Sequence, residues 1–221
     1  MKRPLLWLLA SVLVGLASLV GPASVVSAAA PQQAVFAGGC FWCLEHDLEV
    51  LPGVISAESG YSGGTTANPT YQQVSSGRTG HAESVLVRFD PDRISYATLL
   101  RAFWRNVDPL DGAGQFCDRG SSYRPVIFTG SADQLKQATE SARLAGQELG
   151  RSEGLAVAIE PLKRFWPAED YHQDYAERQA LTYNFYRWRC GRDARLDAVW
   201  GEQARRPVVW KTATAFPTNA G

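Results

Sequence analysis

The apolar residues of this chain change their spacing at Gly38-Gly39, and this change restricts the possible folds more than any other feature. Before the two glycines, residues 33–37 form a short apolar run with the length of a buried strand. After them, apolar side chains recur at the spacing of one helix face, at Phe41, Leu44, Leu48 and Leu51. Pro52-Gly53 then ends the pattern. The sequence therefore predicts a strand that turns directly into a helix, with Cys40 at the turn.

The same alternation of strand and helix patterns continues along the chain. Further strands are predicted at 54–61, 83–89, 125–129 and 155–159. Further helices are predicted at 96–107, at 131–149 with a capping box of Ser131 and Gln134, and around 171–186. The order strand, helix, strand, strand, helix, strand is typical of a split βαβ unit. We therefore expect an α/β (α+β) fold, a two-layer sandwich with a ferredoxin-like core, a mixed sheet and helices on one face.

The first thirty residues differ from the rest of the chain. Lys2 and Arg3 precede an apolar run at 5–20, which is followed by helix breakers and small residues. This layout is typical of a cleaved secretory signal peptide. An uncleaved anchor is the alternative, because the run is close to the ~17 residues that span a membrane. A lipid-attachment box ending at Cys40 fits less well, because the apolar run ends long before it.

These features predict the domain organisation and location. We expect a signal peptide at 1–29, a catalytic domain at 30–205 and an extended tail at 206–221, in a protein that is periplasmic or secreted. The 22 basic and 22 acidic residues give no net charge, and no Lys/Arg stripe is present. We therefore expect no nucleic-acid partner and no stable membrane association after removal of the leader. With 221 residues the chain fits one folded domain, which we expect to be a monomer.

Cys40 has the position of a reactive cysteine. Unpaired N–H groups and the positive end of the dipole at a helix start stabilise a thiolate, so we expect the pKa of Cys40 to be lowered. The glycines before it permit a tight turn and leave space at the sulfur. Trp42 lies off the apolar helix stripe and could form an apolar wall beside that sulfur. The alternative is a packed cysteine that acts as a small hydrophobic residue, but this would not need Gly-Gly before it or Cys43 after it.

Glu83 is a candidate proton donor. Strand alternation places its carboxyl on the same face as Val85, Val87 and Phe89, which is expected to be buried. Burial raises the pKa of a carboxyl group, so a neutral Glu83 could donate a proton near neutral pH. As the first residue of its predicted strand, Glu83 could equally reach solvent.

The three histidines are weaker candidates. His81 and His172 could act as acid or base, although a lone histidine is more often structural. His46 lies on a charged helix face and is expected to be solvated.

Several motifs in the chain resemble those of one known family. They are GCFW at 39–42, GYSGG at 60–64, NPTY at 68–71, TGHAE at 79–83, YR at 123–124 and FWPAEDYHQ at 165–173. Together they resemble the A-type peptide methionine sulfoxide reductases over about residues 35–200. The resemblance implies reduction of methionine-(S)-sulfoxide, free or in proteins, to methionine. It also implies no cofactor and an external thioredoxin-type dithiol as reductant. Together with the predicted signal peptide, it implies an exported enzyme that repairs oxidised proteins.

The resemblance also assigns roles to residues. It implies that the Cys40 thiolate attacks the sulfoxide sulfur and becomes a sulfenic acid, while Glu83 delivers a proton to the oxygen. Tyr71 and Tyr123 would hydrogen-bond that oxygen. The methyl group would lie against Phe41 and Trp42, and Asp118 would bind the substrate backbone and water.

A second thiol must condense with the sulfenic acid, and three cysteines are candidates. Cys43 is one helical turn from Cys40 and is the first choice. Cys117 adjoins Asp118, whereas Cys190 lies in the C-terminal part where other members of the family carry such cysteines. The chain lacks the glycine-rich, two-cysteine tail of some members, so their relay cannot be transferred directly.

Three other functions compete with this interpretation. A thioredoxin-like disulfide exchanger explains the C-x-x-C spacing, but not Glu83 or the tyrosines. A zinc site normally requires a second C-x-x-C pair or spaced histidines, which Cys117 and Cys190 do not provide. An exported binding module leaves the glycine-cysteine turn unexplained.

Overall fold

The computed structural model describes residues 29–151 and 153–204. The predicted extended tail lies outside these residues, as does the predicted signal peptide except for Ala29. The strands are β1 Gln32–Ala37, β2 Val54–Ser62, β3 Ala82–Phe89, β4 Gly114–Gln115, β5 Asp118–Arg119, β6 Val126–Thr129, β7 Ala158–Pro161 and β8 Phe165–Pro167. The helices are α1 Phe41–Glu49, α2 Tyr71–Ser75, α3 Tyr96–Arg105, α4 Ala132–Glu148, α5 Tyr175–Arg178, α6 Ala180–Arg189 and α7 Arg192–Trp200.

Six strands form one sheet in the order β7-β6-β1-β3-β2-β8. β3 lies between β1 and β2 and is antiparallel to both, so α1 connects two strands that run in the same direction. This arrangement is a split βαβ unit. β6 is antiparallel to β1, and β7 is parallel to β6. The predicted fold class, with its ferredoxin-like core and mixed sheet, is confirmed; β4 and β5 form a separate small hairpin.

The main core lies between one face of the sheet and the helices. Phe36 and Val85 point to this face and pack with Leu44 of α1 and Phe103 of α3. The rings of Phe36 and Phe103 stack with their centroids 5.1 Å apart.

A second, smaller core lies on the opposite face of the sheet. Leu162 and Phe165 pack there against Val35, Ala37, Val126 and Phe128. Residues of alternating direction on β1 therefore supply both cores, as strand geometry requires.

Two helices lie where none was predicted. α2 lies within the long turn-rich segment before β3 and begins with a complete capping box, in which Thr70 and Gln73 bond each other's backbone N–H. α7 follows Cys190 in the part of the chain that shows no strong periodicity. Helices of five and nine residues offer few repeats of a pattern, so their apolar spacing gave little signal.

α4 shows where a periodic prediction was only partly correct. Ser131 caps the helix by accepting the Gln134 N–H, but the Gln134 side chain bonds the Gly130 N–H, so the predicted capping box is half formed. Ala138 and Ala145 are buried, whereas Leu135 of the same predicted stripe is 49% exposed.

Within the described ranges, no helix is long and apolar enough to cross a membrane.

Candidate active site

Cys40 is the N-cap residue of α1, as the turn pattern predicted. Its carbonyl accepts the N–H groups of Cys43 at 3.2 Å and Leu44 at 3.4 Å, while its side chain forms no capping bond. Gly39 has φ +83°, and a Cβ there would lie 2.7 Å from the Cβ of Gln115. The turn therefore requires glycine because Gln115 packs directly behind it, a reason that the sequence did not reveal.

Glu83 lies at the start of the same helix. Its carboxylate accepts the Phe41 N–H at 3.1 Å, although the two residues are 42 positions apart in the chain. The side chain is 2% exposed, so the predicted buried orientation is confirmed and the solvent alternative is wrong. Burial raises the pKa of Glu83 to about 8, against the opposing effect of the Phe41 hydrogen bond. A carboxyl group that remains protonated at neutral pH is thus placed beside the cysteine.

Tyr71 and Tyr123 reach this site from two different segments. Tyr71 is the first residue of α2, and Tyr123 ends the short 3-10 turn Ser121–Tyr123. Their hydroxyl groups are close neighbours, and burial together with the charge of Glu83 raises the pKa of both. Both side chains are half-buried. Two neutral phenols therefore stand near Glu83 and can donate hydrogen bonds to an incoming oxygen.

An aromatic wall borders the cysteine. Phe41 is buried, and its ring lies 6.3 Å from Tyr71 and 6.4 Å from Trp42 between centroids. Trp42 is half-buried and stacks on Tyr175 at 3.8 Å with nearly parallel planes. Trp42 thus leaves the main helix stripe, as expected, and packs against residues that follow β8.

Tyr186 of α6 joins Cys40 to Asp118, a connection that the sequence did not indicate. Its hydroxyl donates to Asp118 Oδ2 at 2.5 Å and lies close enough to the Cys40 sulfur to oppose the rise of the Cys40 pKa. Burial raises the pKa of Asp118, while the Tyr186 hydrogen bond and the charge of Arg192 oppose the rise. Tyr186 also meets Trp42 edge-on, with ring centroids 6.0 Å apart. The aromatic composition of its helix was the only available signal, and it does not single out one residue.

The four cysteines form two pairs. Cys40 and Cys43 are free thiols, 6% and 1% exposed. Cys117 and Cys190 are joined by a disulfide that links the β4–β5 hairpin to the end of α6. The disulfide lies beside Asp118, at 3.8 and 4.0 Å from its carboxylate oxygens. Of the three candidate resolving cysteines, the structure therefore brings Cys43 alone to Cys40 as a thiol.

The expectation that the pKa of Cys40 is lowered is wrong for this structure, in which Cys40 and Cys43 are both reduced thiols. Burial raises the pKa of Cys40, and its hydrogen bond to Cys43 and the charge of Glu83 add to the effect. The helix start cannot offset the loss of water and a neighbouring carboxylate. Because Glu83 is one cause, its protonation favours the Cys40 thiolate.

Cys43 shifts in the other direction. The neighbouring Cys40 thiol and the positive charges of Arg192 and Arg187 favour the Cys43 thiolate, so the pKa of Cys43 is lowered. The protonation of each thiol therefore depends on that of the other.

The histidines divide between structure and site. The two ring nitrogens of His81 bond the backbone of the loop before α2, with the Gly64 N–H donating to Nδ1 and Nε2 facing the Thr66 carbonyl. Both ring nitrogens of His81 therefore hold this loop in place, which is a structural role.

The other two histidines lie nearer to the aromatic side chains. His46 is half-buried against the ring of Tyr183. His172 is buried beside the aromatic wall and accepts the Trp42 indole N–H.

Comparison with known proteins identifies the family. Residues 32–204 match the family profile described as peptide methionine sulfoxide reductase. The chain belongs to the peptide methionine sulfoxide reductases. The relative "Peptide methionine sulfoxide reductase MsrA 2" of Caulobacter vibrioides is 48% identical over 186 residues, which cover 84% of this chain and 94% of the relative. MsrA of Bacillus licheniformis is 45% identical over 77% of this chain and 94% of the relative.

Solved structures agree with the fold. Methionine sulfoxide reductase A of Corynebacterium diphtheriae matches with a TM-score of 0.62 and 30% identity, over 68% of this chain and 76% of that one. Reduced Mxr1 of Saccharomyces cerevisiae matches with a TM-score of 0.64 and 29% identity, over 68% and 86%. The chain is therefore an A-type reductase, an oxidoreductase that reduces methionine sulfoxide.

Glu169, to which no role was assigned from the sequence, contacts two residues of the site region. Its carboxylate accepts the Tyr61 hydroxyl at 2.8 Å and the Tyr71 N–H at 2.9 Å. It thereby joins β2 to the first residue of α2 and holds Tyr71 in place. Glu169 lies within the FWPAEDYHQ motif, so the signal was present without an indication of its contact.

Proposed function

We propose that this reductase acts on methionine-(S)-sulfoxide, free or in proteins, with Cys40 as the nucleophile. The observation that carries the proposal is the contact of four kinds of group at one helix start: a buried thiol, a carboxyl with a raised pKa, two phenols and an aromatic wall. A sulfoxide has a partly negative oxygen, an electrophilic sulfur and a methyl group. Each of these parts has a chemical counterpart among the side chains of the site.

The first step transfers oxygen to Cys40. The Cys40 sulfur attacks the sulfoxide sulfur while Glu83 gives its proton to the oxygen, and Tyr71 and Tyr123 donate hydrogen bonds to it. Methionine leaves with its sulfur reduced by two electrons. Cys40 loses the same two electrons and keeps the oxygen as a sulfenic acid. The Cys40 proton replaces the one that Glu83 gave, so the step neither consumes nor releases a proton.

The two diastereomers of methionine sulfoxide test this proposal. With dithiothreitol as reductant, we expect methionine to form from the S diastereomer and the R diastereomer to remain unchanged. Amino-acid chromatography of each reaction measures the product. Turnover of the R form alone would contradict the assigned epimer, and turnover of neither form would favour a thiol–disulfide exchanger.

Cys43 is proposed to resolve the sulfenic acid. It lies one helical turn from Cys40, its sulfur already contacts Cys40, and its lowered pKa supplies the attacking thiolate. Its attack on the Cys40 sulfenic sulfur forms a disulfide and breaks the S–O bond, and the proton given up by the Cys43 thiol joins the leaving hydroxide, so the oxygen is released as water. A thioredoxin-type dithiol then reduces this disulfide by two electrons and becomes oxidised itself, so the cycle needs no cofactor.

Substitution of Cys43 by serine separates the two steps. Cys43→Ser is expected to release about one equivalent of methionine per enzyme in the absence of reductant, as the first step predicts. We expect its Cys40 sulfenic acid to persist, because the adjacent thiol is missing. Trapping with dimedone and intact-protein mass spectrometry measure it. The matched control is the Cys117→Ser/Cys190→Ser double variant, which should still form the Cys40–Cys43 disulfide; an unchanged disulfide yield in Cys43→Ser would assign the role to another cysteine.

Export is a further part of the proposal. The supporting observation is the layout of residues 1–30, with basic residues, an apolar run and small residues in order. An exported reductase would repair oxidised proteins outside the cytoplasm. N-terminal mass analysis of the protein purified from its native cells tests this, since an intact Lys2-Arg3 segment would contradict cleavage.

A further inference from the structure

The indole of Trp42 has a hydrogen-bond partner, His172, on a distant segment. The Trp42 Nε1–H donates to His172 Nδ1 at 3.1 Å. β8 pairs with the edge of β2, and the 3-10 turn Asp170–His172 follows it and carries the imidazole inward. His172 is 2% exposed and Trp42 is half-buried, so this hydrogen bond is partly shielded from water.

The same imidazole touches the rest of the aromatic wall. Its ring centroid lies 4.9 Å from that of Phe41 and 4.5 Å from that of Tyr71. His172 therefore contacts three side chains that the proposed function places around the sulfoxide. The reaction as described assigns it no step.

The hydrogen bond also fixes the chemical form of His172. Because Nδ1 accepts a hydrogen bond from the Trp42 indole N–H, the proton of the neutral ring must be on Nε2. Burial lowers the pKa of His172, and the charge of Glu169 opposes this only in part, so the imidazole is neutral. Nε2 is buried and has no hydrogen-bond partner among the described residues. A second proton would have to be on Nδ1, where its N–H would face the N–H of Trp42. This hydrogen bond is therefore incompatible with a charged imidazole.

Stacking alone does not hold the indole. Tyr175 packs flat on Trp42, with 8° between the ring planes, which fixes the tilt of the indole. A flat stack still permits the ring to slide and rotate within its own plane. A hydrogen bond is directional, so the bond to His172 opposes this in-plane movement.

We propose that His172 is a positioning residue that fixes the indole of Trp42 and thereby sets the affinity and the epimer preference of the methyl pocket. This inference rests on the proposed function, in which Trp42 holds the methyl group. The two sulfoxide epimers present methyl and oxygen in exchanged positions, so a rigid pocket that accepts only methyl rejects one of them. His172 acts through Trp42 and does not touch the reacting atoms.

Two substitutions at His172 test the proposal. His172→Phe keeps an aromatic ring but removes the acceptor, whereas His172→Asn keeps an acceptor near the position of Nδ1. For His172→Phe we expect KM for methionine-(S)-sulfoxide to rise about tenfold, because an indole that is free to move must be ordered again when the substrate binds. We expect kcat to change little and the ratio of S to R turnover to fall. His172→Asn should recover part of both losses.

A double-mutant cycle with Trp42→Phe separates positioning from packing. Phenylalanine at 42 has no N–H to donate, so His172→Phe should cause little further change in that background. An equal rise in KM in both backgrounds would overturn the proposal, as would a fall in kcat with an unchanged epimer ratio.

A spectroscopic measurement tests the hydrogen bond without turnover. In protein labelled with ¹⁵N-tryptophan, the Trp42 indole N–H should exchange slowly with solvent in the wild type and faster in His172→Phe. Equal exchange rates would overturn the positioning role. Failure of the proposed function is distinct, because it would show as absence of S-epimer turnover in the wild type.

Discussion

Replacement of Cys40 by serine is expected to abolish methionine sulfoxide reduction while the fold is retained. A serine hydroxyl is a far weaker nucleophile than a thiolate, and it has no sulfur to accept the oxygen as a sulfenic acid. We expect the rate to fall by at least about 10,000-fold, as is usual when the nucleophile of an enzyme is removed. Serine is a favoured N-cap residue, so α1 should not lose stability.

A single-turnover assay without reductant checks this result. Cys40→Ser should release no methionine, whereas Cys43→Ser should release about one equivalent. The Cys43→Ser variant is the matched control, because it loses a buried thiol at the same end of the same helix. Release of methionine from Cys40→Ser would mean that another residue attacks the sulfoxide. Circular dichroism and the midpoint of urea unfolding establish that both variants are folded.

The parts of the site that the sequence predicted depend on local patterns. The position of Cys40 follows from a change of spacing within about ten residues, and the inward orientation of Glu83 follows from strand alternation. Both are set by the geometry of single elements. The split βαβ unit was predictable as well, because the order of strand and helix patterns indicates it, whereas the edge strand β8 and its pairing with β2 were not predicted.

The remaining features depend on contacts between distant segments. The pKa of Cys40 is raised mainly by burial, and Cys43 and the charge of Glu83, 43 residues away in the sequence, add to the rise. Tyr186 reaches Asp118 across 68 residues, and the Cys117–Cys190 disulfide spans 73. No periodicity within a helix or strand encodes such pairs. The motif that contains His172 was noted, but its contact with Trp42 required the docking of β8 on β2.

Glu83→Gln is expected to lower the rate of sulfoxide reduction by about 100- to 10,000-fold, the usual contribution of a positioned proton donor. Glutamine keeps the size of the side chain, and its carbonyl can still accept the Phe41 N–H. The loss of rate in Glu83→Gln therefore measures what the Glu83 proton contributes to the reaction. In the wild type, the rate should fall as the pH rises through about 8, because Glu83 then gives up its proton. In the variant, the small remaining rate should lack this descent; the methionine formed at pH 6 to 9.5 measures both profiles.

The same substitution should stabilise the protein at alkaline pH. The pKa of Glu83 is about 8 in the folded protein and near 4.5 when unfolded, so folding favours the protonated form. Wild-type stability from this group is therefore full below pH 4.5, falls as the pH rises, and is lost above pH 8. Glutamine does not titrate, so the free energy of unfolding of Glu83→Gln relative to wild type should increase over this interval. We expect a difference of a few kcal/mol, since each unit of pKa shift corresponds to about 1.4 kcal/mol.

Urea unfolding at pH 5 and pH 9 measures this difference, and its sign decides between two roles of the carboxyl. A gain in stability together with a loss of activity is the expected result for a buried acid kept for proton transfer. If Glu83→Gln is instead less stable than the wild type at pH 9, the charged carboxylate must stabilise α1 through the Phe41 N–H. Glu83 would then be a helix cap that is ionised when the enzyme works, and the proton for the sulfoxide oxygen would have to come from Tyr71 or Tyr123.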